Sequence, residues 1–497
     1  MRLFSHLATS ASKEALVFGG RAYSFGELDD LSRRYAAGLS RLGVERGDRV
    51  AVFAETSPDV VVALLGHHRL GAIHVPINPR YRAEEAGHIL RDSGAKAVLV
   101  GEGEGLHETL REVGPLPGLE IRIDGARFCD FLRAEPFDGA TPADSDTALL
   151  IYTSGTTGKS KGVELSFGAV AANVGAVTGL WRFVPEDRLV LALPLFHVHG
   201  LCLGIHGMLL SGLATLLFER FDAPRVVEAF EKDRATLFMG VPTMYVKLLD
   251  HLASHPESAT ALSRGRLFTS GSAPLPASDF HLFEEKTGHR ILERYGMSET
   301  LFTLSNPYDG ERRPGTVGVP VPGCEVRLVD DDGRDVSSGK LGEIVVKSNG
   351  MMTRYRGRPE ETAASFRDGW FFTGDVAQRS EDGYVTIVGR KSVDVIKSGG
   401  YKISAREIED VLSRHPLVKE VAVVGRSDRL FGQKVVAAVV LRATEGAPLD
   451  PDVLLEELSA FAAKFLADYK RPRAVIVLPE LPRNALGKVQ KHRLVSA

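Results

Sequence analysis

Apolar positions along the chain follow two rhythms. Short apolar runs, "RVAVFAE" (49–55), "AIHVPIN" (72–78) and "AKAVLVG" (95–101), alternate with stretches of helical period, "PDVVVALLGHHRLG" (58–71) and "AEEAGHILRDSG" (83–94). The alternation resumes in "RLVLALPL", "APRVVEAFEKD", "TLFMGVP", "ASDFHLFEEKTG" and "RILERYG". Continuously apolar strands separated by helices predict an α/β fold, with parallel sheets that carry helices on their faces. In such sheets ligands gather at the carboxyl ends of the strands. Polar clusters stand at those ends: after "ALLIY" (148–152), after "VLALPL", within "LFTSGS" and within "ILERYGMSET".

The rhythm changes at 315–347, where "EVRLVDDDGRDV" and "GEIVVKS" predict a small β region with turns. A further break follows at "VGRKSVDVIKSGGYKIS" (388–404). Beyond it a helix ("AREIEDVLSRH"), two strands, a long helix and a basic tail ("RNALGKVQKHR") predict a small α+β domain. The expected division is a large domain over 1–389 and a small one over 390–497. The most apolar stretch, 200–218, has membrane-spanning length. It holds four glycines and a histidine and ends in a strand-like "TLLFER", which predicts a buried helix followed by a buried strand.

At 497 residues the chain is too long for one core. Its 44% hydrophobic and 25% charged content is that of an ordinary globular protein. A net charge of −3 gives no case for a nucleic-acid or membrane-surface partner. Cys129, Cys202 and Cys324 are far apart, without metal spacing. An odd count argues against a disulfide framework, and a reducing cytoplasm is the simplest reading. The N-terminus lacks the long apolar core of a secretory signal, and an organellar presequence stays open. A monomer or weak homo-oligomer is expected.

Candidate chemistry begins at "YTSGTTGKSKG" (152–162). Gly158-Lys159-Ser160 suggests a P-loop, but the position five before Gly158 is Thr153, so that pattern fails. Hydroxyls at Thr153, Ser154, Thr156 and Thr157, glycines at 155 and 158, and Lys159 and Lys161 still suit a polyphosphate.

This loop, with "ERYGMSET", "GWFFTGD", "GRKSVDVIKSGGYKISAREIE" and "PRNALGK", resembles the adenylate-forming superfamily of acyl-CoA synthetases, peptide-synthetase adenylation domains and luciferases. The resemblance is order-preserving over nearly the whole chain. It implies a two-step reaction that uses Mg²⁺, ATP and CoA: a carboxylate attacks the α-phosphate of ATP, then a thiol displaces AMP. It implies that Thr153, Ser154, Gly155, Thr156, Thr157, Gly158 and Lys161 close over the phosphates. It also implies that Tyr295 stacks on adenine beside Gly296 and Met297, that Ser298 contacts phosphate, and that Glu299, with Thr153, holds the metal. Ser272, Ala273 and Pro274 would flank the adenine, and Asp375 and Arg390 would receive the ribose. Lys488 would be a mobile catalytic lysine. A hinge at 389–392 would carry it away and present Lys397, Ser398, Gly399, Gly400 and Lys402 to CoA. The segment between Arg390 and Asp394 looks one residue longer than in many relatives, so no single pivot is assigned.

For the acid pocket the resemblance points to Arg294, immediately before Tyr295, and to "FHVHG" with His197, Val198 and His199; Met297 would also line it. A short diacid leaves a second carboxylate for which a bidentate Arg is the best partner. Together with "MGVPTMY", "SGSAPLP" and "RPGTVGVP", these residues most resemble the malonyl-CoA synthetases, whose carboxylate-binding Arg matches Arg294. His197 would shape the pocket at the reacting carboxylate; His199 reads equally as a core histidine. The expectation is malonyl-CoA formation, with methylmalonate a further substrate. The alternatives are another short acid, oxalate or acetate, or a stand-alone adenylation enzyme that loads a carrier protein.

Overall fold

Strand Ile73–Ile77 is buried at every position, as a central strand covered on both faces requires. It stands in a seven-stranded sheet ordered Arg354–Tyr355, Lys161–Ser166, Thr147–Thr153, Ile73–Ile77, Arg49–Phe53, Ala97–Val100, Leu119–Arg122. The last five pair in parallel; Lys161–Ser166 and Arg354–Tyr355 are antiparallel additions at one edge. Phe53, Val75, Leu90, Val98 and Leu150 meet in the core on one of its faces.

A nine-stranded sheet carries Leu267–Ser270, Leu237–Gly240, Arg188–Leu191, Ala214–Leu217 and Glu14–Phe18 in parallel. Leu292–Met297 runs parallel to Leu267–Ser270 and pairs antiparallel with Leu301–Ser305. The computed structural model describes residues 2–101, 105–114, 119–123, 126–139, 141–153, 160–391, 394–398, 401–428, 431–442, 450–466, 468–483 and 489–495.

Helix ends follow local chemistry. Ser24 caps helix Phe25–Arg41 in a reciprocal box with Glu27, satisfying two otherwise orphaned N–H groups. Ser57 caps Pro58–Leu70, with Pro58 in the first turn where its missing N–H costs nothing. The apolar stretch 200–218 forms a buried π-helical run His199–His206, a short helix Gly207–Ser211 and strand Ala214–Leu217. Gly212, at φ 67°, makes the left-handed turn between the last two. Among the described residues no helix is long and apolar enough to cross a membrane.

Four fully buried histidines lie where helix Pro58–Leu70, strand Ile73–Ile77 and the π-helical run meet. His67 Nδ1 is 3.0 Å from His74 Nδ1, His67 Nε2 is 3.2 Å from the Tyr35 hydroxyl, and His68 Nε2 is 2.9 Å from His206 Nε2. Burial holds His67 down to about 3 and His206 to about 4, and pushes His68 and His74 well below 6.5. All four are therefore neutral inside the fold.

The chain divides into two compact units, Met1–Glu325 with Val346–Gly369, and Val326–Val345 with Trp370–Ala497. Both sheets above belong to the first. In the second, Trp370–Arg379 pairs antiparallel with Val385–Arg390. A further sheet runs Tyr401–Ser404, Val395–Ser398, Gly432–Leu441, Val418–Asp428, with Ala474–Val477 parallel to Gly432–Leu441. Helices Ala405–Leu412 and Pro451–Ala462 cover it through Ile408, Leu412, Leu454 and Leu458. The expected division at 389/390 falls inside this unit, because strand pairing joins Trp370–Arg390 into one hairpin.

Candidate active site

Strand Leu292–Met297 and the turn after it carry Arg294, Tyr295, Gly296, Met297, Ser298 and Glu299 in succession. Arg294 is 4% exposed, and its Nε and Nη2 atoms are buried without a hydrogen-bond partner. Among the described residues no carboxylate pairs with it. Its guanidinium lies 4.9 Å from the Phe302 ring centroid and against Gly271, where a Cβ would come within 2.6 Å of Arg294 Cζ. Burial lowers its pKa to about 9, so it remains a cation at neutral pH. An unpaired buried charge costs several kcal/mol, and an anion placed against it would offset that cost.

His199 opens the π-helical run, a rare geometry that concentrates at functional sites. Its Nδ1 is 3.3 Å from Ser272 Oγ, and its Nε2 is buried without a partner. Burial, with the Arg294 charge added, pushes it well below 6.5. His197 Nε2 is also buried and unpartnered, and burial holds His197 at about 4. Both imidazoles are thus neutral and can donate or accept one further hydrogen bond. Ser272 adopts a left-handed φ of 68°, a conformation stored more often at ligand sites than elsewhere. Arg294, His199, Ser272 and Phe302 therefore converge on one patch of the first unit. Val198 is half-buried between the histidines, and Ala273 and Pro274 are exposed beyond Ser272.

At the far end of its strand, Thr153 closes Thr147–Thr153 and pairs in register with Lys161. Ser154, Gly155, Thr156, Thr157, Gly158 and Lys159 lie outside the described residues. Lys161 forms an ion pair with Glu361 and stands 5.4 Å from the Tyr355 ring centroid. Glu299 is 6% exposed and accepts a 2.9 Å hydrogen bond at Oε1 from the Tyr355 hydroxyl. Tyr295 is buried, with its hydroxyl 3.9 Å from Met297 Sδ, and Ser298 is half-buried. Among the described residues no group of three or more His, Cys, Asp or Glu could hold a metal ion. One buried carboxylate does fit a magnesium ion that takes its other ligands from phosphates and water.

In the second unit, Asp375 and Arg390 are register partners, joined by a 2.8 Å ion pair, and Arg390 Nη1 also donates to Thr373 O at 2.8 Å. Ser398 is buried in strand Val395–Ser398, whose Lys397 pairs in register with Lys402. Gly399, Gly400 and Lys488, and the side chains of Lys397 and Lys402, lie outside the described residues. Sequence reading missed Gly271, Phe302 and Tyr355. The available signal for Tyr355 was an aromatic flanked by Arg354 and Arg356 just before "RPEET".

Two family models match in order: "AMP-binding enzyme" over residues 3–356 and "AMP-binding enzyme C-terminal domain" over 407–488. A malonate–CoA ligase of Arabidopsis thaliana is 33% identical, over 99% of this chain and 87% of the relative. An indoleacetate–CoA ligase of Aromatoleum aromaticum is 36% identical, over 98% and 95%. The crystal structure of ATP-bound MatB from Rhodopseudomonas palustris superposes with a TM-score of 0.90 at 35% identity, over 100% of this chain and 98% of that one. With relatives matched over nearly their full length around this constellation, the chain belongs to the AMP-binding enzyme family, as an AMP-forming acyl-CoA synthetase.

Proposed function

We propose that the chain makes malonyl-CoA from malonate, ATP and CoA, and takes methylmalonate as a second substrate. The observation that carries this is Arg294, a buried cation with two donor atoms unpaired. A dicarboxylate supplies the missing anion, and a planar guanidinium receives it with parallel N–H donors. An indole or alkyl tail in the same place leaves the guanidinium desolvated and unpaired. The malonate–CoA ligase among the relatives agrees with this reading, while the indoleacetate relative shows that the acid varies within the family.

In the first step a carboxylate oxygen of malonate attacks the α-phosphorus of ATP and pyrophosphate leaves. In the second, the CoA sulfur attacks the acyl carbon and AMP leaves. Nucleotidyl transfer is mostly positioning and charge stabilisation. Arg294 orients the distal carboxylate, and His197, neutral at working pH, hydrogen-bonds the reacting one. Lys161 and the loop before it bind phosphates. Tyr295 stacks on the adenine, and Asp375 and Arg390 take the ribose. Magnesium, held by Glu299 and Thr153, would neutralise charge on the phosphates. Lys488 serves adenylation and the Lys397–Lys402 segment serves the thiol step. The three cysteines are free thiols, which suits a cytoplasmic enzyme.

The test compares kcat/KM for malonate and butyrate in the parent, Arg294→Ala and Arg294→Lys. Deleting one member of a buried ion pair costs about 3–5 kcal/mol. Arg294→Ala should therefore cut malonate turnover by roughly two to four decades, at about 1.36 kcal/mol per decade. Butyrate should suffer far less, and Lys should restore only part, since a point charge does not reproduce a bidentate fork. Equal losses for both acids would make Arg294 structural and remove the reading.

A further inference from the structure

The segment Met352–Arg358 is a strap fixed along its length by backbone hydrogen bonds. Met352 N donates to Glu299 O at 2.7 Å, Thr353 N to Glu164 O at 2.8 Å, and Arg356 N to Gly162 O at 2.8 Å. Arg354 and Tyr355 pair antiparallel with Glu164 and Val163 on strand Lys161–Ser166. The buried Glu164 carboxylate takes Arg354 at 2.9 Å and Arg356 at 3.2 Å, and Tyr355 N donates to Thr362 Oγ1 at 3.0 Å. Tyr355 thus has its backbone held from both sides and its ring buried. Its hydroxyl is a preset donor, 2.9 Å from Glu299 Oε1, and its ring stands 5.4 Å from the Lys161 ammonium.

A hydrogen bond donated to a carboxylate fixes its plane. A carboxylate has about four lone-pair sites, so a bond from Tyr355 is compatible with metal ligation by the same group. The partner that orients a metal ligand often matters nearly as much as the ligand. We propose that Tyr355 is a positioning residue for Glu299. It fixes the plane in which the carboxylate would meet magnesium, and ties that orientation to Lys161, which follows the glycine- and hydroxyl-rich loop in the chain. This rests on the reading of Glu299 as the metal carboxylate, and is independent of which acid the enzyme takes.

The test uses Mn²⁺ as the probe, with ATP present and neither acid nor CoA. Mn²⁺ affinity of the full-length protein is followed by electron paramagnetic resonance in the parent, Tyr355→Phe, Glu299→Gln and the double variant. Phe keeps the ring and its packing and removes only the hydroxyl, and melting temperatures report the fold separately. Tyr355→Phe should weaken Mn²⁺ binding by roughly 10–100-fold at a melting temperature close to the parent's. The double variant should bind no more weakly than Glu299→Gln, because the hydroxyl acts through that carboxylate. Parent-like Mn²⁺ affinity in Tyr355→Phe overturns the proposal, as do additive losses in the double variant. So does unchanged affinity in Glu299→Gln, since Tyr355 then has no metal ligand to position. Because malonate is absent throughout, failure of the substrate assignment leaves these outcomes untouched.

Discussion

Two donor atoms of Arg294 end without a protein partner, and the bare backbone at Gly271 makes room for the guanidinium that carries them. A methyl group added at 271 would lie 2.6 Å from Arg294 Cζ, so the guanidinium must move. Gly271→Ala should lower kcat/KM for malonate by roughly a hundredfold, the scale of an ångström-sized misplacement, and spare butyrate. Steady-state kinetics with both acids check this; an equal loss for both would point to a general distortion of the strand. Lys488→Ala should abolish adenylate formation, read by pyrophosphate release, yet leave thioester formation from preformed malonyl adenylate largely intact. Loss of both half-reactions alike would contradict a lysine that serves the first step alone. Arg294 and Glu299 were singled out in the sequence because "ERYGMSET" resembles a family motif, and the structure carries them on strand Leu292–Met297 and in the turn after it. Tyr355 was not, because its role depends on a hydrogen bond to a residue 56 positions away. Gly271 was quoted within a loop, but the clash that requires glycine exists only after strands Leu267–Ser270 and Leu292–Met297 pair.

At the scale of elements, the alternation of apolar runs and helical stretches sufficed for the parallel sheets, because a strand buried on both faces leaves a continuous signature. The π-helical run was read only as a buried helix, since periodicity over eight residues does not separate the two geometries. Behind the expected hinge, periodicity also hides a cluster of charges. Lys491 pairs with Asp394 and, at 2.7 Å, with Glu409, while Asp394 Oδ2 accepts from Arg390 N at 2.8 Å. All three side chains are mostly buried. Lys491 begins helix Lys491–Val495, three residues after Lys488. Lys491→Met removes the shared cation and leaves two carboxylates facing each other. We expect a loss of about 3–5 kcal/mol in stability, measurable by denaturant unfolding of the second unit's transition. Adenylation should fall more than thioester formation, because the anchor adjoins the lysine's segment. Unchanged stability would mean that water already solvates the cluster.

For the molecule as a whole, the histidine cluster sets an acid limit. Its four imidazoles have folded-state pKa values below the ordinary 6.5, His206 at about 4 and His67 at about 3. The unfolded chain therefore binds more protons below pH 6.5, so stability falls as pH drops from 6.5 through 4 and is unaffected by this cluster above 6.5. Near pH 5 the unfolding constant should steepen toward one decade per pH unit for each histidine. A paired His68→Leu/His206→Leu variant should lose about two decades of that slope, since replacing both partners by apolar groups strands no donor. Denaturant titrations from pH 4.5 to 7.5 give the slopes; identical slopes would show that the imidazoles are protonated or solvated in the native state. The two units carry a different consequence, because they are interleaved in the chain: Val346–Gly369 returns to the first after Val326–Val345 has been given to the second. On the ribosome the edge strand Arg354–Tyr355 reaches its sheet only late in synthesis. Val326–Val345 must meanwhile wait for Trp370–Arg379 to be translated. At about 5–20 residues per second, the nascent polypeptide spends roughly two to seven seconds with unpaired β edges in the open, an interval that belongs to chaperones.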